Sequence, residues 1–180
     1  MLTEDCLVVI EQWEPARHDR SSFDCGVDRL NNFLKFSAKK QQKDDMTRVY
    51  VAVLPGETMI LGYHTINAGV MNVSELAKPP KGAASHGDIP VLFLGQVAVD
   101  KRAQGNGLGS ILMHHVFEKA CIVGDAVGCF AVLLDVMSDG GEDAFRRRKN
   151  WYEEFGFQSF VSNQARMFMT MRQVRLIVEG

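Results

Sequence analysis

Between an apolar run and a helical pattern stands Gln104-Gly105-Asn106-Gly107-Leu108-Gly109-Ser110, with three glycines in five positions. Missing side chains let an anion approach backbone N–H groups, and the N-terminus of the following helix adds partial positive charge. The turn therefore suits a phosphate or pyrophosphate. Two nucleotide motifs that use the same physics are excluded. A P-loop needs a Lys after its glycines, and Ser110 stands where the dinucleotide fingerprint needs a third glycine. Two basic clusters lie elsewhere: Lys35, Lys39, Lys40 and Lys43, and then Arg146, Arg147, Arg148 and Lys149. Each is either a solvated helix face or a local footprint for an anionic partner. His114 and His115 are neighbours on a helix, so only one can face a site. With His18, His64 and His86 they read as structural or surface residues. Cys6, Cys25, Cys121 and Cys129 show no CxxC spacing and read as reduced thiols, with no metal site expected.

These residues need elements to position them. Residues 28–43 read as an amphipathic helix, with Leu30, Phe33, Leu34, Ser37, Ala38 and Gln41 at helical spacing and Asp24 or Asp28 as its cap. Arg48–Leu54 and Met59–Ile66 read as an antiparallel hairpin about Pro55-Gly56-Glu57. Residues 74–90, rich in Pro, Gly and small polar types, read as a loop or flap. Val91–Val99 is apolar almost throughout, as a strand buried on both faces would be, and Gly95 within it marks a bulge or a close backbone approach. Helix 107–123 and strand Cys129–Met137 complete a strand–helix–strand unit with parallel strands. A basic helix at about 142–154 follows, then a closing pair of strands at Phe157–Val161 and Ala165–Val174. This order predicts a mixed α/β or α+β sheet in a single domain.

The bulk properties agree. The chain has 180 residues, 46% hydrophobic and 23% charged, with a formal net charge of -2. That fits one globular domain and does not announce a nucleic-acid binder. No apolar run approaches the roughly 20 residues needed to span a bilayer. The start, MLTEDCLVVIEQW, lacks the basic region of a signal peptide, so a cytoplasmic protein is expected.

Read from Gln104, the turn fits Q/R-x-x-G-x-G/A and follows LGQVAVD. Downstream comes Trp151-Tyr152-Glu153-Glu154-Phe155-Gly156-Phe157. Together they closely resemble the acetyl-CoA signature and the late FYxxFGF segment of the GNAT superfamily of N-acetyltransferases. The resemblance implies one domain over 1–180 with a core of about 22–174. Its central twisted mixed β-sheet would have splayed parallel strands and flanking helices. Acetyl-CoA would be the co-substrate. Gln96, Val97, Ala98 and Val99 would border the acetyl group and the pantetheine arm, while Gln104, Gly105, Asn106, Gly107, Leu108, Gly109 and Ser110 bind the pyrophosphate. A backbone N–H near Val97 would hold the developing oxyanion. Tyr152 occupies the family position of the acid that protonates the leaving thiolate.

A second likeness narrows the acceptor. Phe23-Asp24-Cys25-Gly26-Val27-Asp28-Arg29-Leu30-Asn31-Asn32-Phe33-Leu34, and Thr47–Ala52 after it, resemble the GNAT toxins of bacterial toxin–antitoxin modules, the TacT/AtaT-like group. Members acetylate the α-amino group of aminoacyl-tRNA, block translation and are neutralised by a ribbon-helix-helix antitoxin; they often dimerise. On this likeness Lys35, Lys39, Lys40 and Arg146–Lys149 would contact tRNA phosphates. Gln96 stands where the group carries an arginine, and the segment 138–150 is longer and more charged than its usual form. Both departures bear on amino-acid specificity. The competing readings are a metabolic or protein N-acetyltransferase sharing the cofactor residues, and a non-catalytic CoA-binding module.

Overall fold

The computed structural model describes residues 8–81 and 87–180. Among them seven strands form one mixed sheet in the order β1-β2-β3-β4-β5-β7-β6. The chain divides into two compact units, residues 1–67 with 95–116, and residues 68–94 with 117–180.

In the first unit β1 (Val9–Gln12), β2 (Arg48–Val53) and β3 (Gly62–Asn72, as far as Asn67) form antiparallel ladders. The second strand of the expected hairpin starts at Gly62, because Met59 makes a lone bridge to Asp19, and it runs on to Asn72. The residues expected as a helix at 28–43 form α1 (Asp28–Asn32), a π-helical segment (Phe33–Ser37) and α2 (Ala38–Lys43). Leu30, Leu34 and Ala38 are buried, whereas Ser37 and Gln41, expected on the apolar face, are exposed, because the π segment alters the phase. No side chain caps α1, whose N-cap is Val27. Asp24 instead accepts from Gly26 N–H and the Asn31 amide. Successive β3 residues face opposite ways. Tyr63 meets the helix, stacking on Phe33 with ring centres 6.2 Å apart. Gly62 faces Leu108 and Leu112 of α3 (Leu108–Val127), which pack with Ala52, Leu61 and Ala103.

In the second unit β4 (Asp88–Val99) pairs with β5 (Ala131–Asp135), and the two are parallel as the βαβ pattern predicts. The ladder runs from Val91↔Ala131 to Leu94↔Leu134. α4 (Gly141–Glu154) follows, then β6 (Gln158–Ser159) and β7 (Arg166–Thr170), which pairs with both β5 and β6. The expected final strand stops at Thr170. Residues Met171–Glu179 form helix α5, started by a capping box in which Gln173 reaches back to Thr170. The spacing of Met171 and Val174 also fits a helical face, and both are buried there.

Of the flap expected at 74–90, Val73–Glu75 is a 3-10 turn and β4 begins at Asp88, while residues 82–86, with His86, lie outside the described residues, as does Cys6.

Candidate active site

The glycine turn joins β4 to α3 in the first unit. Its hydrogen-bond accounting separates scaffold from binding surface. The N–H of Lys101 donates to Asp24 O, that of Arg102 to Asp100 Oδ1, and those of Ala103 and Gln104 to Asp100 O. Ser110 N–H is spent on Gly107 O. Between them, the N–H groups of Gly105, Asn106, Gly107, Leu108 and Gly109 donate to no acceptor among the described residues. Gly105 and Gly107 have φ of 79° and 76°, the left-handed region, and a Cβ on either would meet nothing within 4 Å. Five unspent N–H groups at the head of a 20-residue helix make a fitting anion cradle. Of the expected set Gln104–Ser110, the two end residues are the ones whose N–H groups are already bonded within the protein. The Gln104 side chain is also spent, donating to Val99 O at 2.9 Å and Cys25 O at 3.1 Å.

Upstream, Val97 and Val99 turn inward against the α3 cluster, and Ala98 is buried. Gln96 points the other way. Its Oε1 lies 2.8 Å from the Tyr63 hydroxyl, which is also 2.9 Å from Leu30 O. Burial pushes that phenol well above its ordinary pKa, so it stays a donor. Gln96 lines an open groove of about 580 Å³ with Arg29, Asn32, Phe33, Phe36 and Ser37. Phe36 is 77% exposed. The Gln96 side chain, expected to border the cofactor arm, faces the helical segment that follows Asp28. Gly95 marks a close approach by a side chain where one by another backbone was expected, since a Cβ there would sit 2.8 Å from Thr65 Oγ1 and the nearest backbone atom is 3.9 Å away.

In the second unit Tyr152 lies in the last turn of α4. Gly156, at φ 101°, ends that helix: its N–H donates to Glu153 O, and Phe157 N–H donates to Tyr152 O. This is a Schellman closure, with Tyr152 three residues inside the end and Phe157 beyond it. Their rings meet edge to face at 5.9 Å, and the Trp151 ring lies tilted 5.0 Å from that of Tyr152. The Trp-Tyr-x-x-Phe-Gly-Phe motif is therefore a device that stops a helix and fixes one phenol. Desolvation pushes the Tyr152 hydroxyl up to about 12, partly offset by Arg148.

The basic clusters are unequal. Arg148 donates to the carbonyls of Met137 and Asp139, so it clamps the loop before α4. Arg146 lies 3.8 Å from Glu142 and Lys149 pairs with Glu153. Arg147 is the one exposed cation of that run with no partner among the described residues. In the first unit Lys39 and Lys43 share a groove of about 420 Å³ with Gln12, Pro15, Gln42, Asp45 and Arg48; Lys35 is half-buried and Lys40 exposed outside it. His64, buried, bonds His115 ring to ring at 2.7 Å under Tyr50, and His18 bonds Glu11; both fit the structural reading. No group of His, Cys, Asp and Glu able to hold a metal occurs among the described residues.

The model of the GNAT acetyltransferase domain matches residues 45–159. A Sinorhizobium fredii protein named "Probable toxin TacT" is 33% identical over 171 residues, 94% of each chain. A "tRNA-acetylating toxin" of Mycobacterium tuberculosis is 24% identical over 161 residues, 89% of this chain and 90% of that one. Among solved structures, a Tyr-to-Phe mutant of KacT is similar with a TM-score of 0.83 and 27% identity, covering 94% of this chain and 98% of that one. A Tyr-to-Phe mutant of the toxin AtaT, bound to the C-terminus of the antitoxin AtaR and acetyl-CoA, gives 0.80 and 23%, covering 96% and 99%.

Proposed function

The chain belongs to the GNAT acetyltransferases, in the branch that includes the TacT toxin, and we propose that it acetylates the α-amino group of an aminoacyl-tRNA and so blocks translation. The observation that carries the donor half is the run of five unspent N–H groups from Gly105 to Gly109, a cradle for the pyrophosphate of acetyl-CoA. The acceptor half rests on the TacT likeness along 94% of the chain, and on the tRNA-acetylating activity in the name of the second relative.

The acceptor needs little help. An α-amino group has a pKa near 8, so a useful fraction is neutral at pH 7. As the new N–C bond forms and the C–S bond breaks, the backbone N–H at Val97 holds the oxyanion. Tyr152 gives its proton to the departing sulfur, and the amine's surplus proton goes to solvent. Lys39 and Lys43, with Arg147, supply phosphate contacts for the tRNA. An antitoxin of the ribbon-helix-helix type, a homodimer and a cytoplasmic location complete the proposal. The C-terminus of the antitoxin AtaR on AtaT supports an antitoxin partner as such. No described helix is long and apolar enough to cross a membrane.

The test is transfer of radiolabelled acetyl by the purified chain to charged tRNA, deacylated tRNA and free amino acids. Label on charged tRNA alone is expected. Label on free amino acids, or on none of the three, rejects the acceptor.

A further inference from the structure

The polar groups of the segment Phe23–Leu34 have a definite use in the first unit. Asp24 N–H donates to Asp100 Oδ2 at 2.9 Å, and Lys101 N–H returns a bond to Asp24 O at 2.9 Å. Lys101 Nζ bonds Asp24 Oδ2 at 2.7 Å. Asp24 Oδ1 accepts from Gly26 N–H and from Asn31 Nδ2, while Asn31 Oδ1 accepts from Cys25 N–H. Cys25 O in turn takes the Gln104 amide. Asp100, 1% exposed, accepts from Arg102 N–H and from two atoms of its guanidinium as well. The helix that begins at Asp28 is thus bonded, through one loop, to the residues whose N–H groups are spent just before the cradle.

We infer that Asp24 and Asn31 are positioning residues for acetyl-CoA binding: with Asp100 and Lys101 they brace the 101–104 segment so that the Gly105–Gly109 N–H groups stay aimed together. They touch neither the reacting atoms nor the cradle itself. Two left-handed glycines leave the turn itself conformationally permissive, so its shape depends on what holds its base. Asn31 is suited to its place by polarity, donating with one amide atom to Asp24 and accepting with the other from Cys25. The isosteric change Asn31→Asp would set a second carboxylate against Asp24 at unchanged volume. The inference rests on the donor half of the proposed reaction, and the identity of the acceptor does not enter it.

The experiment measures coenzyme A binding to the full chain by calorimetry, together with kcat and the KM for acetyl-CoA, for wild type, Asn31→Asp and Asp24→Asn. Thermal melts check that each variant is folded. A brace predicts a Kd and KM raised about tenfold, the order for lost charge-assisted bonds, with kcat at saturation within about twofold. Wild-type Kd in both variants overturns it. So does a fall in kcat at unchanged KM, which a merely depleted folded fraction would give. Binding is read without any acceptor, so a wrong acceptor leaves this result standing.

Discussion

Replacing Tyr152 by Phe removes one oxygen and leaves the ring packing against Trp151 and Phe157 intact. The loss is then the proton donor alone, and a placed general acid contributes about 10²–10⁴-fold to rate. Because burial holds the phenol up to about 12, only about one molecule in a thousand is ionised at pH 9. Two things follow for the pH–rate profile of kcat/KM. The wild-type rate should rise as the acceptor amine loses its proton near pH 8, then stay level to about pH 10. Tyr152→Phe should lower the whole plateau by about 100-fold or more without moving the rising limb. Initial rates with a hydrolysis-resistant amide analogue of the aminoacyl terminus would read this without losing the ester. A wild-type rate that falls between pH 9 and 10, by a limb that Tyr152→Phe abolishes, would refute the burial argument. A variant of unchanged kcat would refute the acid itself.

Gly156→Ala should destabilise the fold by about 1–2 kcal/mol, the cost of a left-handed alanine, since Met169 Cε stands at an ordinary 3.7 Å from the new Cβ. Urea unfolding reads it, and kcat should fall with it as Tyr152 loses its helix end. Gly95→Ala should cost about 1–3 kcal/mol by driving a Cβ against Thr65 Oγ1, and Thr65→Ala in the same chain should recover most of that loss in a thermal melt. Lys39→Ala and Lys43→Ala should each reduce the slope of log KM for charged tRNA against log salt by about one, whereas Arg148→Ala should lower stability and leave the slope alone.

The cradle could be read in the sequence because its signal is local: glycines, a strand before them and a helix after. The Trp151–Phe157 motif was legible for the same reason, as helix closure depends on neighbours three to five residues apart. The rest depended on distant partners. Asp24 and Asp100 are 76 positions apart, and nothing in either neighbourhood names the other. Arg148 looks like its neighbours in sequence and differs only in finding two carbonyls. Met171–Val174, the end of the expected strand, belongs to a helix because Met and Val suit either period, and the capping box at Thr170 decides it. β1 went unread, although Val8, Val9 and Ile10 were a usable β-branched signal.

The π segment at Phe33–Ser37 sets an angular register. Leu30, Leu34, Ala38 and Gln42 are spaced by four, and Gln42 is held on the inner side by Trp13 O and Val49 N–H. In an unbroken α-helix each four-residue step overshoots a full turn by about 40°, so Gln42 would end about 120° away from Leu30. The wider turn absorbs that overshoot. It follows that deleting a single residue within 33–37 would restore a plain α-helix whose eleven steps still bring Gln42 within about 20° of Leu30, whereas deleting two would swing everything after them by about 80°, carrying Lys39 and Lys43 off the Arg48 groove. For this chain the number of residues between two landmarks is itself inherited information, and length variants here would change where the lysines point without changing which lysines there are.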